Sequence, residues 1–152
     1  MAVSSIHSGW QYDPSNSRLN FYYRGTRVGH ISSGGDLAVT SGTVDVQDGG
    51  TVTQATSKST GVTLNTNSGQ ITMDDAALAA AAEVTFAVTN SQVAATDVVI
   101  VNHGSAGTAG AYMVQANTMA SGSFNITVAN LTAGSLGEAI VINFVVIKGA
   151  SS

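Results

Sequence analysis

The sequence of 152 residues contains no cysteine, which rules out a disulfide framework and any thiolate metal site. Charge is also scarce. Asp, Glu, Lys and Arg together make up 9% of the chain, against about 25% in ordinary globular proteins. No apolar run approaches the ~18 residues of a membrane-spanning helix. Met1-Ala-Val-Ser-Ser5 lacks the basic opening of a signal peptide, so a protein made in the cytosol and free of membranes is expected. The net charge of −4 argues against a nucleic-acid partner. With 43% hydrophobic residues, the chain has the opposite of a disordered composition. Its surface must therefore be covered by Ser, Thr, Asn and Gln, or hidden in contacts.

What is present begins with the run Ala139-Ile-Val-Ile-Asn-Phe-Val-Val-Ile-Lys148, rich in β-branched residues and ended by Gly149. Side chains alternate faces along a strand. One face then carries Ile140, Ile142, Phe144 and Val146, and the other Val141, Asn143, Val145 and Ile147. Neither is a polar face. Such a strand lies inside a fully covered sheet or packs its second face on another subunit. The low charge favours the subunit, and makes Val141, Asn143, Val145 and Ile147 the expected oligomer interface.

The rest of the chain reads as short strands and turns. Residues 1–40 form an arm and a β-meander: Trp10-Gln-Tyr12, the turn Asp13-Pro-Ser-Asn16, Arg18–Arg24, the reversal Arg24-Gly-Thr26, Arg27–Ile31 and Leu37–Thr40. Residues 1–9 are small and polar and suggest a flexible or docked end. Residues 41–50 are rich in Gly and Asp and form a linker. Residues 51–149 carry seven expected strands: 60–64, 69–73, 84–90, 97–102, 112–116, 123–129 and 139–148. The first two read as a hairpin around Asn65–Ser68. Asp74-Asp75 before Ala76–Ala82 fits either one capped helical turn or a plain loop. Even spacing and Gly-rich turns describe an all-β, antiparallel, jelly-roll-like sandwich, followed by a tail at 150–152. A few isolated strands are marginal in water, so the meander needs something to lie against. Its aromatic residues Trp10, Tyr12, Phe21, Tyr22 and Tyr23, with Arg18, Arg24 and Arg27, are the residue types enriched in binding hot spots and are the expected partner-docking set.

Motifs for chemistry are weak. Gly104, Gly107 and Gly110 are spaced as in phosphate-cradling loops, but they lie between strands with no following helix and no Lys-Ser/Thr pair. Asp97, His103 and Ser105 invite a triad reading without the Gly-x-Ser-x-Gly elbow. His7, His30 and His103 are dispersed, so a metal requires three copies of one histidine meeting on an axis. Asp74-Asp75 suits a turn better than a Ca²⁺ site. Asn125-Ile-Thr and Asn130-Leu-Thr match the glycosylation acceptor pattern, which stays idle without secretion. No catalytic residue, metal or cofactor is expected.

Four strings carry a resemblance: Gln54-Ala-Thr-Ser-Lys-Ser-Thr-Gly-Val-Thr-Leu64, Gly69-Gln-Ile-Thr-Met73, Ala77-Leu-Ala with Glu83–Asn90, and Ala133-Gly-Ser-Leu-Gly-Glu-Ala through Lys148. Over about residues 51–149 the chain resembles a module of tailed-bacteriophage virion proteins. The opening Trp10–Asp13 and Asn20–Ile31 are more loosely similar to the β lead-in of short phage structural proteins. The resemblance implies a homotrimer located in the virion. It leaves open a capsid decoration (cement) protein bound to the major capsid protein or another virion protein, or a fibre tip recognising a host surface glycan or protein. The short chain, with its own Met1 and no shaft or coiled coil, favours decoration. A glycan-degrading enzyme is the outsider, since no acid pair is evident.

Overall fold

The computed structural model describes residues 8–46 and 48–149. The expected flexible end at 1–9 lies outside these residues apart from Ser8 and Gly9, as does the tail at 150–152. No helix occurs among the described residues, and the chain divides into two compact units, Met1–Asp45 and Val46–Ser152.

The first unit is one antiparallel sheet of four strands in sequence order: β1 (Ser8–Asp13), β2 (Arg18–Tyr23), β3 (Thr26–Ile31) and β4 (Leu37–Val39). Its turns are written in the sequence. The Asp13 carboxylate accepts the backbone N–H groups of Ser15 and Asn16 at 3.2 and 3.3 Å and the Asn16 side-chain amide at 2.8 Å, which closes the β1–β2 turn. Arg24 and Gly25 both have positive φ, 50° and 78°, the two-residue reversal whose twist matches a hairpin. At the third turn the Ser32 hydroxyl accepts the N–H of Asp36 at 3.0 Å and donates to its carboxylate at 2.8 Å.

The second unit is a β-sandwich of eight strands: β5 (Thr51–Thr53), β6 (Val62–Thr63), β7 (Ser68–Thr72), β8 (Glu83–Thr89), β9 (Val98–Ser105), β10 (Tyr112–Ala120), β11 (Ser123–Asn130) and β12 (Val141–Ile147). One sheet has the order β5-β7-β12-β9 and the other β10-β11-β8-β6. From β5 to β10, consecutive strands fall alternately on the two sheets, a jelly-roll-like wrapping. Pairing is antiparallel except at two edges, where β5 runs parallel to β7 and β6 to β8. The core is the inward residues of both sheets, with Ile71, Val88, Phe124, Ile126, Val128, Ile140 and Ile142 completely shielded. Phe124 and Phe144 meet across it with ring centroids 5.7 Å apart.

Three sequence expectations are corrected. Val62–Thr63 and Ser68–Thr72 are not a hairpin, because they belong to different sheets. The polar stretch between them is instead a corner held by distant residues. Asn90 Nδ2 donates to Thr66 O at 2.8 Å, Asn65 Oδ1 accepts from Ser91 N at 2.9 Å, and Val146 N donates to Asn67 O at 2.8 Å. The second correction is β5, an eighth strand too short to show periodicity, fixed by its partner β7. Third, β9 continues through His103, Gly104 and Ser105, which the sequence places in a loop. For Ala76–Ala82 the loop alternative holds. Asp74 Oδ1 accepts the Ala76 N–H at 2.8 Å, and Leu78 exchanges backbone bonds with Leu136 at 2.8 and 3.0 Å.

Candidate partner-binding surfaces

Strand register sorts the expected docking residues. Cross-strand pairs Trp10–Phe21, Tyr12–Leu19, Ser8–Tyr23, Leu19–Ile31, Ile31–Leu37 and Gly29–Val39 put all of these side chains on one face of the meander. Arg18 pairs with Asp13, Asn20 with His30 and Tyr22 with Arg27, so these occupy the opposite face. The expected set is therefore split. Trp10, Tyr12, Phe21 and Tyr23 cannot meet the same flat surface as Arg18, Tyr22 and Arg27. Arg24 sits in the β2–β3 turn, its guanidinium 5.3 Å from the centroid of the Tyr23 ring.

The two faces differ in chemistry. On the first, Trp10 lies edge-on to Phe21 at 4.8 Å, yet stays 68% exposed, with Tyr12 at 62%, Tyr23 at 58% and Leu37 at 69%. On the second, Arg18 reaches the Asp13 carboxylate at 3.3 Å. Asn20 is buried there, and its Oδ1, Arg18 Nε and His30 Nδ1 are buried atoms with no hydrogen-bond partner among the described residues. Hydrogen bonds from Asn16 hold the Asp13 carboxyl below the usual carboxylate range, with Arg18 adding to the effect.

In the sandwich, β12 lies between β7 and β9. Ile142, Phe144 and Val146 enter the core, while Val141, Asn143 and Val145 are half-buried and Ile147 is exposed on the outer face. Register extends that outer face. Ile147 is opposite Val98, Val145 opposite Ile100 and Ser68, and Asn143 opposite Asn102 and Gln70. The result is an apolar area of Val98, Ile100, Val145 and Ile147 bounded by the polar row Asn102, Asn143 and Gln70, beyond which Val141 stands between Thr72 and Ser105. Within that row Gln70 Nε2 donates to Asn143 Oδ1 at 3.1 Å. The Asn143 amide also rests on Gly104, where a Cβ would come within 2.5 Å of it. A groove of about 520 Å³, lined in part by Gly50, Gly69, Gln70 and Asn143, adjoins this row.

The outer face of the other sheet is mainly polar, with Met113 half exposed at one end beside Ala129. Thr85 and Thr127 hydroxyls meet at 2.8 Å, and Asn117 Nδ2 donates to Thr127 Oγ1 at 2.8 Å. The sandwich thus has one water-suited outer face and one that carries Val and Ile. Sequence reasoning found the β12 residues of the apolar face but missed Val98 and Ile100, because only the β9–β12 register brings them alongside.

The weaker chemical motifs separate in space. Asp97, at the start of β9, is tied to Lys148 Nζ, to Ala94 N at 2.8 Å and to Gly149 N at 3.0 Å. The Lys148 contact and these backbone bonds hold its pKa down at about 2. His103 lies near the far end of the strand and gives its Nε2–H to the Ala106 carbonyl at 2.6 Å rather than to Ser105. No triad forms. His103 and Tyr112, edge-on at 5.7 Å, border a hollow of about 430 Å³ under the Gly104–Gly110 turn. Burial, reinforced by the adjacent Glu138 carboxylate, pushes the Tyr112 phenol up to about 12. Glu138 itself is held low by hydrogen bonds from Thr108, whose hydroxyl donates at 2.9 Å.

Lys58 is a buried cation that the sequence did not single out. Its Nζ donates to the carbonyls of Asp74 and Glu138 at 2.5 and 2.6 Å, and burial lowers its pKa against the pull of Asp74, Asp75 and Glu138. It joins two loops. Asn130, in the second acceptor pattern, is likewise spent internally. Its amide donates to Leu78 O, Ala79 O and Gly134 O at 2.8–3.0 Å, and its Oδ1 accepts from the backbone and hydroxyl of Thr132. Among the described residues no three His, Cys, Asp or Glu side chains gather to hold a metal, and no helix is long and apolar enough to cross a membrane. His7 lies outside the described residues. No known protein family, curated protein or solved structure matches this chain.

Proposed function

We propose that the protein is a non-enzymatic structural component of a bacteriophage virion, assembled as a homotrimer, that decorates the capsid shell and stabilises it. The observation that carries the assembly reading is the pair of uncovered apolar sheet faces, one on the meander and one on the β9–β12 side of the sandwich. Exposed apolar areas of this kind mark interaction sites on soluble proteins. Val141, Asn143, Val145 and Ile147, joined by Val98 and Ile100, are the proposed subunit contact in the sandwich. The arginine face of the meander, with Arg18, Tyr22 and Arg27, is the proposed grip on the capsid protein, since guanidinium groups bond carboxylates in pairs. The phage assignment itself rests on the sequence resemblance.

The second reading is a fibre tip that recognises a host surface glycan or protein. The Thr- and Asn-rich outer face of β8, β10 and β11 favours it, with hydroxyl and amide groups arrayed on a sheet. Purified full-length protein mixed with undecorated capsids distinguishes the two. Decoration predicts saturable binding at a copy number comparable to that of the capsid protein, weakened by Arg18→Glu and Arg27→Glu. Absence of capsid binding, together with adsorption to host cells, contradicts the decoration reading and supports the fibre tip.

A further inference from the structure

We infer that the groove beside Gln70 and Asn143 is a binding site for a neutral glycan. The inference goes beyond the assembly reading and depends on neither the capsid nor the fibre-tip role.

Register lays a polar row straight across this sheet. Asn102 on β9 is opposite Asn143 on β12, Asn143 is opposite Gln70 on β7, and Gln70 is opposite Thr51 on β5. In the next outward row Thr72 is opposite Thr53. None of these side chains is charged. The groove of about 520 Å³ lies at the β5 end of the row, lined by residues 49–51, 68–70, 143 and 144. Val98 and Ile100 stand on β9, across β12 from β5 and β7, so the groove and the apolar area meet only at β12.

The polar groups of the groove are held ready for a ligand. Gln70 Nε2 donates to Asn143 Oδ1, and the Asn143 amide is seated on Gly104, so the pair is ordered in advance. That bond uses one donor and one acceptor of the two amides. Gln70 Oε1 and the second functional group of Asn143, its Nδ2, keep no protein hydrogen bond among the described residues. Exchanging O and N in both amides reverses the bond and still leaves a donor beside an acceptor. Thr51 adds an exposed hydroxyl.

The chemistry of the lining selects the ligand. Small-molecule sites are hollows of about 300–1,000 Å³, largely apolar, with a few placed polar groups, and the groove has this form. Without a charged side chain it offers no anchor for a phosphate, sulfate, carboxylate or ammonium group. A sugar hydroxyl both donates and accepts, so neighbouring hydroxyls of a neutral sugar engage the free amide oxygen and amide nitrogen together. Its C–H surface has the bare backbone of Gly49, Gly50 and Gly69 to rest on. A peptide docks through an aromatic or Arg anchor or by pairing along a strand edge, and β5, with three residues, is a poor template for pairing. The hydroxyl and amide groups on the other sheet's outer face are already bonded to one another.

The test uses immobilised oligosaccharides and the full-length chain. The probes are neutral oligosaccharides of glucose, galactose, mannose or N-acetylglucosamine, with sialylated and sulfated oligosaccharides and unstructured peptides alongside. Circular dichroism and light scattering confirm that each variant keeps its fold and association state. The expected result is saturable binding of at least one neutral oligosaccharide, weakened about three- to tenfold by Gln70→Ala and by Thr51→Val, the loss of one hydrogen bond each, and unchanged by Thr127→Ala on the other sheet. The inference is overturned by no binding at millimolar sugar, by binding that Gln70→Ala leaves unmoved, or by preference for the charged oligosaccharides or the peptides. Capsid binding of the wild-type chain is a separate readout, so the inference can fail while the decoration reading stands, and the reverse.

Discussion

Replacing Val145 by Asp tests the sandwich contact where the structure makes it sharpest. Val145 sits at the middle of β12, between Ile100 and Ser68, and its side chain points away from the core. Val98, Ile100 and Ile147 around it keep 55, 51 and 50% of their surface exposed. Complete burial of such a side chain is worth about 1.5–3 kcal/mol, so covering the remaining half of each contributes about 1 kcal/mol. These neighbours together supply roughly 3 kcal/mol per subunit face on the same scale. A carboxylate placed among them without a partner costs about 3–5 kcal/mol. Association should therefore weaken between about a hundredfold and several thousandfold. In the separated protomer the new carboxylate faces water, and only strand preference, about 1 kcal/mol, is lost. Sedimentation equilibrium paired with a thermal melt reads both quantities. The account expects a shift toward monomer with the fold retained, and no such shift for Thr127→Asp on the polar outer face. Unchanged association of Val145→Asp at matched concentration would refute the assignment of this face.

Other outcomes follow from single side chains. Asn130→Ala removes bonds to three carbonyls and two Thr132 donors, so it should cost about 3–5 kcal/mol in denaturant melts; a loss under about 1 kcal/mol contradicts its role as the hub. Asp97 is held near pKa 2 when folded against 3.8 ordinarily, so its contribution is present above about pH 4 and disappears as pH falls toward 2; Asp97→Asn should flatten acid denaturation in that window. Tyr112 has the opposite sign. Its raised pKa gives stability that is present below pH 10 and lost toward pH 12, and an ultraviolet titration should show a phenol ionising near 12 that Tyr112→Phe removes. Gly69→Ala brings a Cβ to 2.7–2.9 Å from Leu64, the Gly50 carbonyl and Phe144, and should destabilise the sandwich by about 1–3 kcal/mol in the same melts.

The all-β class and most strands were legible because alternation and turn chemistry act over neighbouring residues. Asp13, Arg24-Gly25 and the Val84–Thr89 alternation show their structure within a few positions. The corner at Asn65–Asn67 was not, since its partners Asn90, Ser91 and Val146 lie far along the chain. The strand β5 has three residues and depends on β7 for its existence. For the surfaces, composition drew attention to the aromatic and arginine residues of the meander but could not sort them onto faces. A strand of alternating Arg, Leu, Asn, Phe, Tyr and Tyr assigns its faces only relative to a partner, and the bulge between Phe21 and Tyr22 shifts the register of β3. Arg18 and Trp10 are thus separated by the sheet itself. The outward face of β12 was legible because every alternate residue from Val141 to Ile147 follows one strand.

The central proposal is that this chain works as a self-assembled part whose apolar sandwich face, around Val145, is buried between copies. The most direct measurement is the mass of the full-length protein in solution by light scattering at micromolar concentration. The account predicts a stable species at three times the 15.3 kDa of one chain, with no monomer on dilution through that range. A single species at 15.3 kDa would contradict it, since the proposed subunit contact around Val145 would then stand open to water.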